Sequence, residues 1–417
     1  MAHVRLRHAR RWCMQGSVPD GKAFPASLTS CWKECGMDAH SPRGLLRAFE
    51  SLEDPRMDRT KLHRLTDILT IAICATICGA DGWPDVALFG RCKEKWFGTF
   101  LDLPNGIPSH DTFRRVFMLL EPEAFEQCFM QWMAELSESS GGRLIAVDGK
   151  TIRRSLDAAG GKAAVHMVSA WCDANEMVLG QLATDEKSNE ITAIPRLLKL
   201  IDIAGAVVTV DAMGCQKEIA ETIVEEGGDY VLQLKGNQGG LHDETVQLFD
   251  ECLRDDCLGI EHTTATVANK GHGRIEQRTI WATEEIDWFA ERAQWAGLKS
   301  LVRVRCQRTV GGETSSEDHY YISSLPAGDP KRLLTLIRGH WSVENKLHWS
   351  LDISFADDDR RHRRGYAAEN ASRLARLALN LLKAEKTEKI SLRAKRKLCG
   401  WDHDYLLKVL TGPPKKD

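Results

Sequence analysis

The sequence predicts an α/β protein: a mixed sheet flanked by helices, with a helical region before it and a β-rich insertion within it. Three observations carry this reading. From Ser41 to about Ser140 the apolar residues recur at helical spacing. From Leu144 onward, short apolar runs of strand length alternate with helical patterns. From about Ile260 to Ser324 strand signals follow one another without helices between them, as an insertion would.

Residues 1–40 mix Arg, Gly, Pro, Ser and Cys without periodicity and read as a poorly ordered extension. Residues 41–140 form a helical N-terminal domain. Its clearest helix places Phe125, Cys128, Phe129, Trp132, Met133 and Leu136 on one face, and Ser109 reads as an N-cap. Gly141-Gly142 marks a boundary. Residues 141–258 and 326–385 form the α/β domain. Leu144 to Val147 is a strand ending at Asp148. His166 to Cys172 and Met177 to Ala183 are strands joined by a turn at Asp173-Ala174-Asn175. Pro195 to Ile203 reads as a helix with Pro in its first turn. Ala206 to Val210 is a strand ending at Asp211. A helix from Gln216 to Glu226 closes at Gly227-Gly228, and Tyr230 to Leu234 is a fifth strand. Within the insertion, residues 259–325, the candidate strands are Thr264 to Val267, Arg278 to Ala282 and Leu301 to Cys306. Helical patterning returns at Pro330, and Ala367 to Lys383 is a long amphipathic helix. Residues 386–417 form a basic C-terminal tail.

The longest apolar run, Ile68 to Cys78, is too short to span a bilayer, and no apolar stretch follows the N-terminal arginines as in a secretory signal. The thirteen cysteines are odd in number and contain no C-x-x-C pair, which points to reduced thiols in the cytoplasm and away from zinc. The net charge is −3, but from Arg360 to Asp417 sixteen Lys+Arg face six Asp+Glu. That stretch carries +10 and the remainder −13, a division suited to holding phosphates in one region and cations in another.

Val147-Asp148-Gly149 and Val210-Asp211-Ala212 each deliver an aspartate at a strand end, where α/β sheets build their sites. Gly149 and Gly214 would let a phosphate or metal approach the backbone. The plainer reading makes both aspartates N-caps. Phosphodiester cleavage with two Mg²⁺ ions needs carboxylates that clamp ions about 4 Å apart, and so requires a third acid. Glu344 is a candidate, in the first turn of a helix capped by Ser342, with His348 at i+4 on the same face. Asp352, further along, is the fallback.

Four strings occur in order: Val147-Asp148-Gly149-Lys150; Val210-Asp211-Ala212-Met213-Gly214-Cys215-Gln216; Leu234-Lys235-Gly236-Asn237-Gln238; and His340-Trp341-Ser342-Val343-Glu344-Asn345-Lys346-Leu347-His348-Trp349. Together they resemble the DDE transposases of bacterial insertion sequences, most closely the H-repeat-associated group. The likeness runs from about Leu45 to Lys383, and Leu103 to Phe113 is similar to that group's associated domain. The resemblance implies an RNase H-like catalytic domain with a β-rich insertion before the last acidic helix. It gives Asp148, Asp211 and Glu344 the three catalytic, metal-binding positions, 63 and 133 residues apart. It implies two Mg²⁺ ions, replaceable by Mn²⁺, double-stranded DNA as both transposon end and target, and a homodimer on DNA. A catalytically inactive DNA-binding remnant and a nuclease that cuts without joining are the alternatives. One departure stands out. Broader relatives frame the glutamate with Tyr, Arg and Lys; here the fourth residue before Glu344 is His340 and the seventh after it is Leu351.

Phosphate contacts are therefore sought elsewhere. The candidates are Lys150, Arg153 and Arg154 after the first aspartate, Lys235 and Asn237, Lys270 and Arg274 in the insertion, Arg338, Lys346 and His348 near the glutamate, and the run Arg360, Arg361, Arg363 and Arg364. Trp281 and Trp288 are candidates for stacking on an extruded base, or for core packing.

Overall fold

The computed structural model describes residues 47–136, 143–157, 161–184, 189–254, 259–271 and 273–412. The predicted disorder of residues 1–40, the Gly141-Gly142 boundary and the last five residues of the basic tail lie outside this set.

Among the described residues, nine strands form one sheet. They are β1 Leu144–Thr151, β2 His166–Cys172, β3 Met177–Thr184, β4 Val207–Val210, β5 Asp229–Leu234, β6 His262–Gly271, β7 Arg274–Thr283, β8 Ser300–Val310 and β9 Glu313–Ser323. Their order is β3-β2-β1-β4-β5-β9-β8-β7-β6. β1, β4 and β5 run parallel, and every other neighbouring pair is antiparallel. The mixed sheet is as expected, but the insertion does more than interrupt it. β9 hydrogen-bonds directly to β5, so the inserted strands lengthen the same sheet, and β9 itself is a strand that its polar sequence hid.

β4 reads Val-Val-Thr-Val and is buried at every position, as a parallel strand covered on both faces must be. Period-2 alternation sends its side chains to different cores. Ile145, Val147, Val208, Val210 and Leu232 join a cluster with Ile194, Ile219, Ile223 and Phe249. These come from helices α6 Glu190–Leu198, α7 Lys217–Glu225 and α8 Gly239–Arg254. On the other face Ala146, Trp171 and Val178 pack with the N-terminal helices and the long helix Ala367–Ala384, while Val207 and Val231 pack under Leu333, Leu334 and Ile337. The N-terminal helices are α1 Leu65–Cys78, α2 Trp83–Cys92, α3 Glu94–Phe97, α4 His110–Leu119 and α5 Pro122–Leu136. Ser109 caps α4 through a bond from the Thr112 N–H, as predicted.

After the insertion come α9 Pro330–His340, a π-helical turn Val343–His348, α10 Trp349–Phe355, α11 Ala367–Ala384, α12 Leu392–Trp401 and α13 His403–Thr411. α11 is buried along nearly its whole length between the sheet and the N-terminal helices. Its polar residues are each paired, as burial requires. Asn370 donates to Phe117 O and Leu120 O; Arg373 meets Glu126; Arg376 donates to Ser169 Oγ; Asn380 brackets the Val178 amide.

Several local expectations are corrected. The helix expected at Pro195 begins at Glu190, and Pro195 lies inside it. β1 does not end at Asp148; its antiparallel pairing with β2 carries it on to Thr151. Ser342 is not a cap: its backbone is helical and its side chain caps nothing, so Glu344 lies within a helical stretch instead of opening one. The basic C-terminal stretch folds into α12 and α13, which place Cys399, Leu406, Val409 and Leu410 in the core. Lys395 and Arg396 there are buried, and Arg396 donates to Ile77 O and Thr76 O. Cys252 is disulfide-bonded, unlike the reduced thiols expected throughout.

Candidate active site

β1 and β4 pair in parallel up to Val147 and Val210. Asp148 and Asp211 are each one residue beyond that last pair, on neighbouring strands. By alternation both leave the sheet on the face opposite Val147 and Val210, toward the helical stretch that bears Glu344. The Asp148 Oδ1 accepts from the Gly149 N–H at 2.9 Å. Asp211 does act as an N-cap: its Oδ1 accepts from Met213 N and Gly214 N at 3.1 and 3.3 Å. The cap engages one carboxylate oxygen and leaves Oδ2 outside those bonds, so capping and a site role coexist.

Glu344 reaches Asp148 through His348. The two lie one turn apart, and His348 Nδ1 is 2.9 Å from Glu344 Oε2 and 3.5 Å from Asp148 Oδ2. The imidazole is buried while the Glu344 side chain is 60% exposed, so the site opens on the glutamate side. The wide π-helical turn across Val343–His348 lets both side chains meet β1; such turns recur at functional sites.

Burial pushes the Asp148 carboxyl up to about 6, against the nearby His348 and the Gly149 N–H, with Asp211 and Glu190 adding to the rise. The hydrogen bond from His348 holds Glu344 below the usual carboxylate range. His340 is half-buried with Nδ1 3.1 Å from Thr209 Oγ1, and desolvation lowers its pKa. The donor set suits a divalent cation: ligand atoms of Asp148, Glu344 and His348 all lie within 4.8 Å of one another.

The two glycines serve packing, not ligand approach. A side chain at Gly149 would overlap His166 Nε2 and the Glu190 carboxyl; one at Gly214 would overlap Val210. His166 and Glu190 form a buried hydrogen-bonded pair behind Asp148, and Thr151 Oγ1 meets the other ring nitrogen at 2.8 Å. Sequence reasoning passed over this pair, whose only signal is an apolar strand opening on a histidine.

The cationic candidates separate. Lys150 is held by Asp352 Oδ1 at 2.8 Å and Asp358 Oδ1 at 3.1 Å, which also occupies the fallback acid. Arg153 and Arg154 pair with Asp358 and Asp359, and Arg363 donates to Arg154 O at 3.4 Å. These residues form one mixed rim beside the carboxylates. Arg361 and Arg364 are exposed, whereas Arg360 is buried and donates to Phe355 O and Ala371 O. Arg360 is thus removed from the surface run. Lys346 turns away to Asp173 and Glu176. Asn237 donates to Ala212 O beside Asp211, and Lys235 and Arg338 are exposed. Lys270 and Arg274 sit at the β6–β7 hairpin end, Arg274 paired with Glu276. Trp281 lies under Arg305, and Trp288 is 44% exposed with its indole N–H on Glu285 O.

Residues 139–381 match the family model described as "Transposase DDE domain", and residues 46–133 match "DDE_Tnp_1-associated". The chain is 40% identical over 373 residues to "H repeat-associated putative transposase YhhI" of Escherichia coli K12, covering 88% of this chain and 98% of that one. It is 40% identical to "Putative transposase YncI" of Escherichia coli O157:H7, over 89% of this chain and 95% of that one. To "H repeat-associated putative transposase YbfD" of strain K12 it is 43% identical, over 56% and 91% respectively. With both models in sequence and relatives matched over nearly their full length, the chain belongs to the DDE transposases, in the H repeat-associated group.

Proposed function

We propose that the protein cleaves DNA at transposon ends and joins the freed strand to target DNA, using Asp148, Asp211 and Glu344. The observation that carries this is the convergence of the acids: two lie one residue beyond the last parallel pair of β1 and β4, and a third is delivered to Asp148 from 133 residues beyond Asp211. The strand order β3-β2-β1-β4-β5 with three parallel members supports an RNase H-like core.

The three carboxylates would hold two divalent cations, Mg²⁺ or Mn²⁺, which when bound supply charge neutralisation at the attacking and leaving oxygens. The chain's own residues do the rest. Asp148, beside β4 and linked to Glu344 through His348, would be the carboxylate common to the two cations. The amides of Met213 and Gly214 fix the Asp211 carboxylate, and His348 fixes Glu344 against β1. The exposed glutamate side admits a duplex, and Arg361, Arg363 and Arg364 lie on the surface to receive its phosphates. Double-stranded DNA is the substrate in this reading, bound by a homodimer that pairs two ends. The test is strand transfer in Mg²⁺ with a pre-cut end. Asp148→Ala, Asp211→Ala and Glu344→Ala are each expected to abolish joining while end binding persists. Retained joining in Asp148→Ala would refute the assignment. Wild-type protein that binds ends and neither nicks nor joins would identify a DNA-binding remnant, and nicks without joined product a nuclease.

A further inference from the structure

The three atoms that converge on the open side of the site are Asp148 Oδ2, Glu344 Oε2 and His348 Nδ1. Two are anionic acceptors, and the third is an acceptor in one of its two neutral tautomers. Such a group needs positive charge among its members. A proton on Nδ1 satisfies Glu344 at 2.9 Å, but the 3.5 Å separation from Asp148 is too long for a hydrogen bond. One proton therefore serves one carboxylate, while a cation between the three atoms serves all of them. The imidazole is buried, and its far nitrogen, Nε2, is buried with no hydrogen-bond partner among the described residues. Asp211 is not a member of this cluster; its carboxylate is fixed by the Met213 and Gly214 amides on the β4 side.

We propose that His348 is itself a metal ligand, giving Nδ1 to the cation shared by Asp148 and Glu344, with the ring proton on Nε2. This rests on the reading of the carboxylates as a cation site and deepens it. It makes the two ion positions chemically unequal. The position next to Asp211 has carboxylate donors alone, the preference of Mg²⁺, while the position next to Glu344 has a mixed nitrogen and oxygen set. Imidazole suits first-row transition metals better than it suits Mg²⁺. His348 should then tilt this position toward Mn²⁺ over Mg²⁺, which takes a nitrogen donor less readily.

Mn²⁺ is the probe, because its electron spin reports the ligand atoms without turnover. The full chain is loaded with Mn²⁺ and examined by pulsed electron paramagnetic resonance. A coupled nitrogen from directly bound imidazole is expected in the wild type, lost in His348→Gln and kept in His340→Gln. Mn²⁺ affinity should fall at least about tenfold in His348→Gln, and Mg²⁺ affinity by less than about threefold. Mn²⁺ that binds in an Asp148-dependent manner without nitrogen coupling would overturn the proposal and leave the carboxylate site standing. Coupling that survives His348→Gln, or that is lost in His340→Gln alone, would overturn it too. Failure to bind Mn²⁺, or binding indifferent to Asp148→Asn, would remove the cation site itself and the proposal with it. Because the decisive spectrum is that of the wild type, a variant that fails to fold does not blunt the test.

Discussion

Gly149 and His166 approach so closely that no β-carbon fits between them: one built on Gly149 would overlap both the imidazole Nε2 and the Glu190 carboxyl bonded to it. The strand that carries Asp148 thus has a buried polar pair pressed against the very next residue. Gly149→Ala must push that pair aside, and overpacking of this kind costs about 1–3 kcal/mol. Chemical unfolding should show that loss. An unchanged midpoint would mean that the pair moves freely and does not fix β1.

Glu126 and Arg373 are joined at 3.0 Å, each with 2% of its side chain exposed, linking α5 to α11. Glu126→Gln or Arg373→Met alone leaves one buried partner unmatched and should cost about 3–5 kcal/mol. The double substitution should recover a good part of this. Additive losses in a double-mutant cycle would count against a direct pairing.

Two groups make the fold sensitive to acid in separate windows. Burial pushes His362, which packs on Trp83, down to about 4 from 6.5, with Arg360 adding to the effect. A neutral histidine of this kind contributes stability above 6.5 and loses it as pH falls toward 4. Burial alone would raise the Glu385 carboxyl, but bonds from Thr387, Tyr405 and Lys395 outweigh it and hold the group at about 2, below its ordinary 4.5. Its contribution is present above 4.5 and lost as pH falls toward 2. Melting temperature against pH should therefore flatten in the upper window for His362→Gln and in the lower one for Glu385→Gln. Parallel wild-type and variant curves would contradict the assignment.

Neighbouring arginines should behave oppositely. Arg360 is buried against backbone carbonyls, so Arg360→Ala should lower stability by about 1–3 kcal/mol. Arg361 is exposed, so Arg361→Ala should leave the melt unchanged. It should instead reduce the slope of log affinity against log salt by about 0.9 on duplex DNA, the loss of one phosphate contact. A salt slope unchanged by Arg361→Ala would take this residue out of the DNA surface.

Much of this was legible in the sequence, for physical reasons. β4 and β5 are short apolar runs bounded by turns, and α11 has a strong helical period, so their positions followed from pattern alone. The apolar runs that pair in parallel led to Asp148 and Asp211, although β1 runs on past Asp148, and the i+4 spacing gave His348 beside Glu344. Other features depend on partners far away in the chain. β9 is mostly polar and exposed over its first half, and it is a strand only because β5 and β8 flank it. Arg360 looked like the first member of a basic surface run, yet the carbonyls of Phe355 and Ala371 claim it. Gly149 and Gly214 looked like room for a ligand because the side chains filling that room come from residues 166, 190 and 210.

The face of β1 that bears Asp148 is closed by the last quarter of the described chain, the helical stretch from Pro330 to Phe355 and then α11. Synthesis runs from the N-terminus and domains fold as they emerge. A growing chain therefore holds both aspartates, with Ala146, Trp171 and Val178 covered by the N-terminal helices alone, long before Glu344 and His348 leave the ribosome. The third acid of the proposed site and the closing of the core arrive together, in the same late segment. A copy of the gene interrupted ahead of codon 330 would lack both the cover of this core and Glu344 and His348.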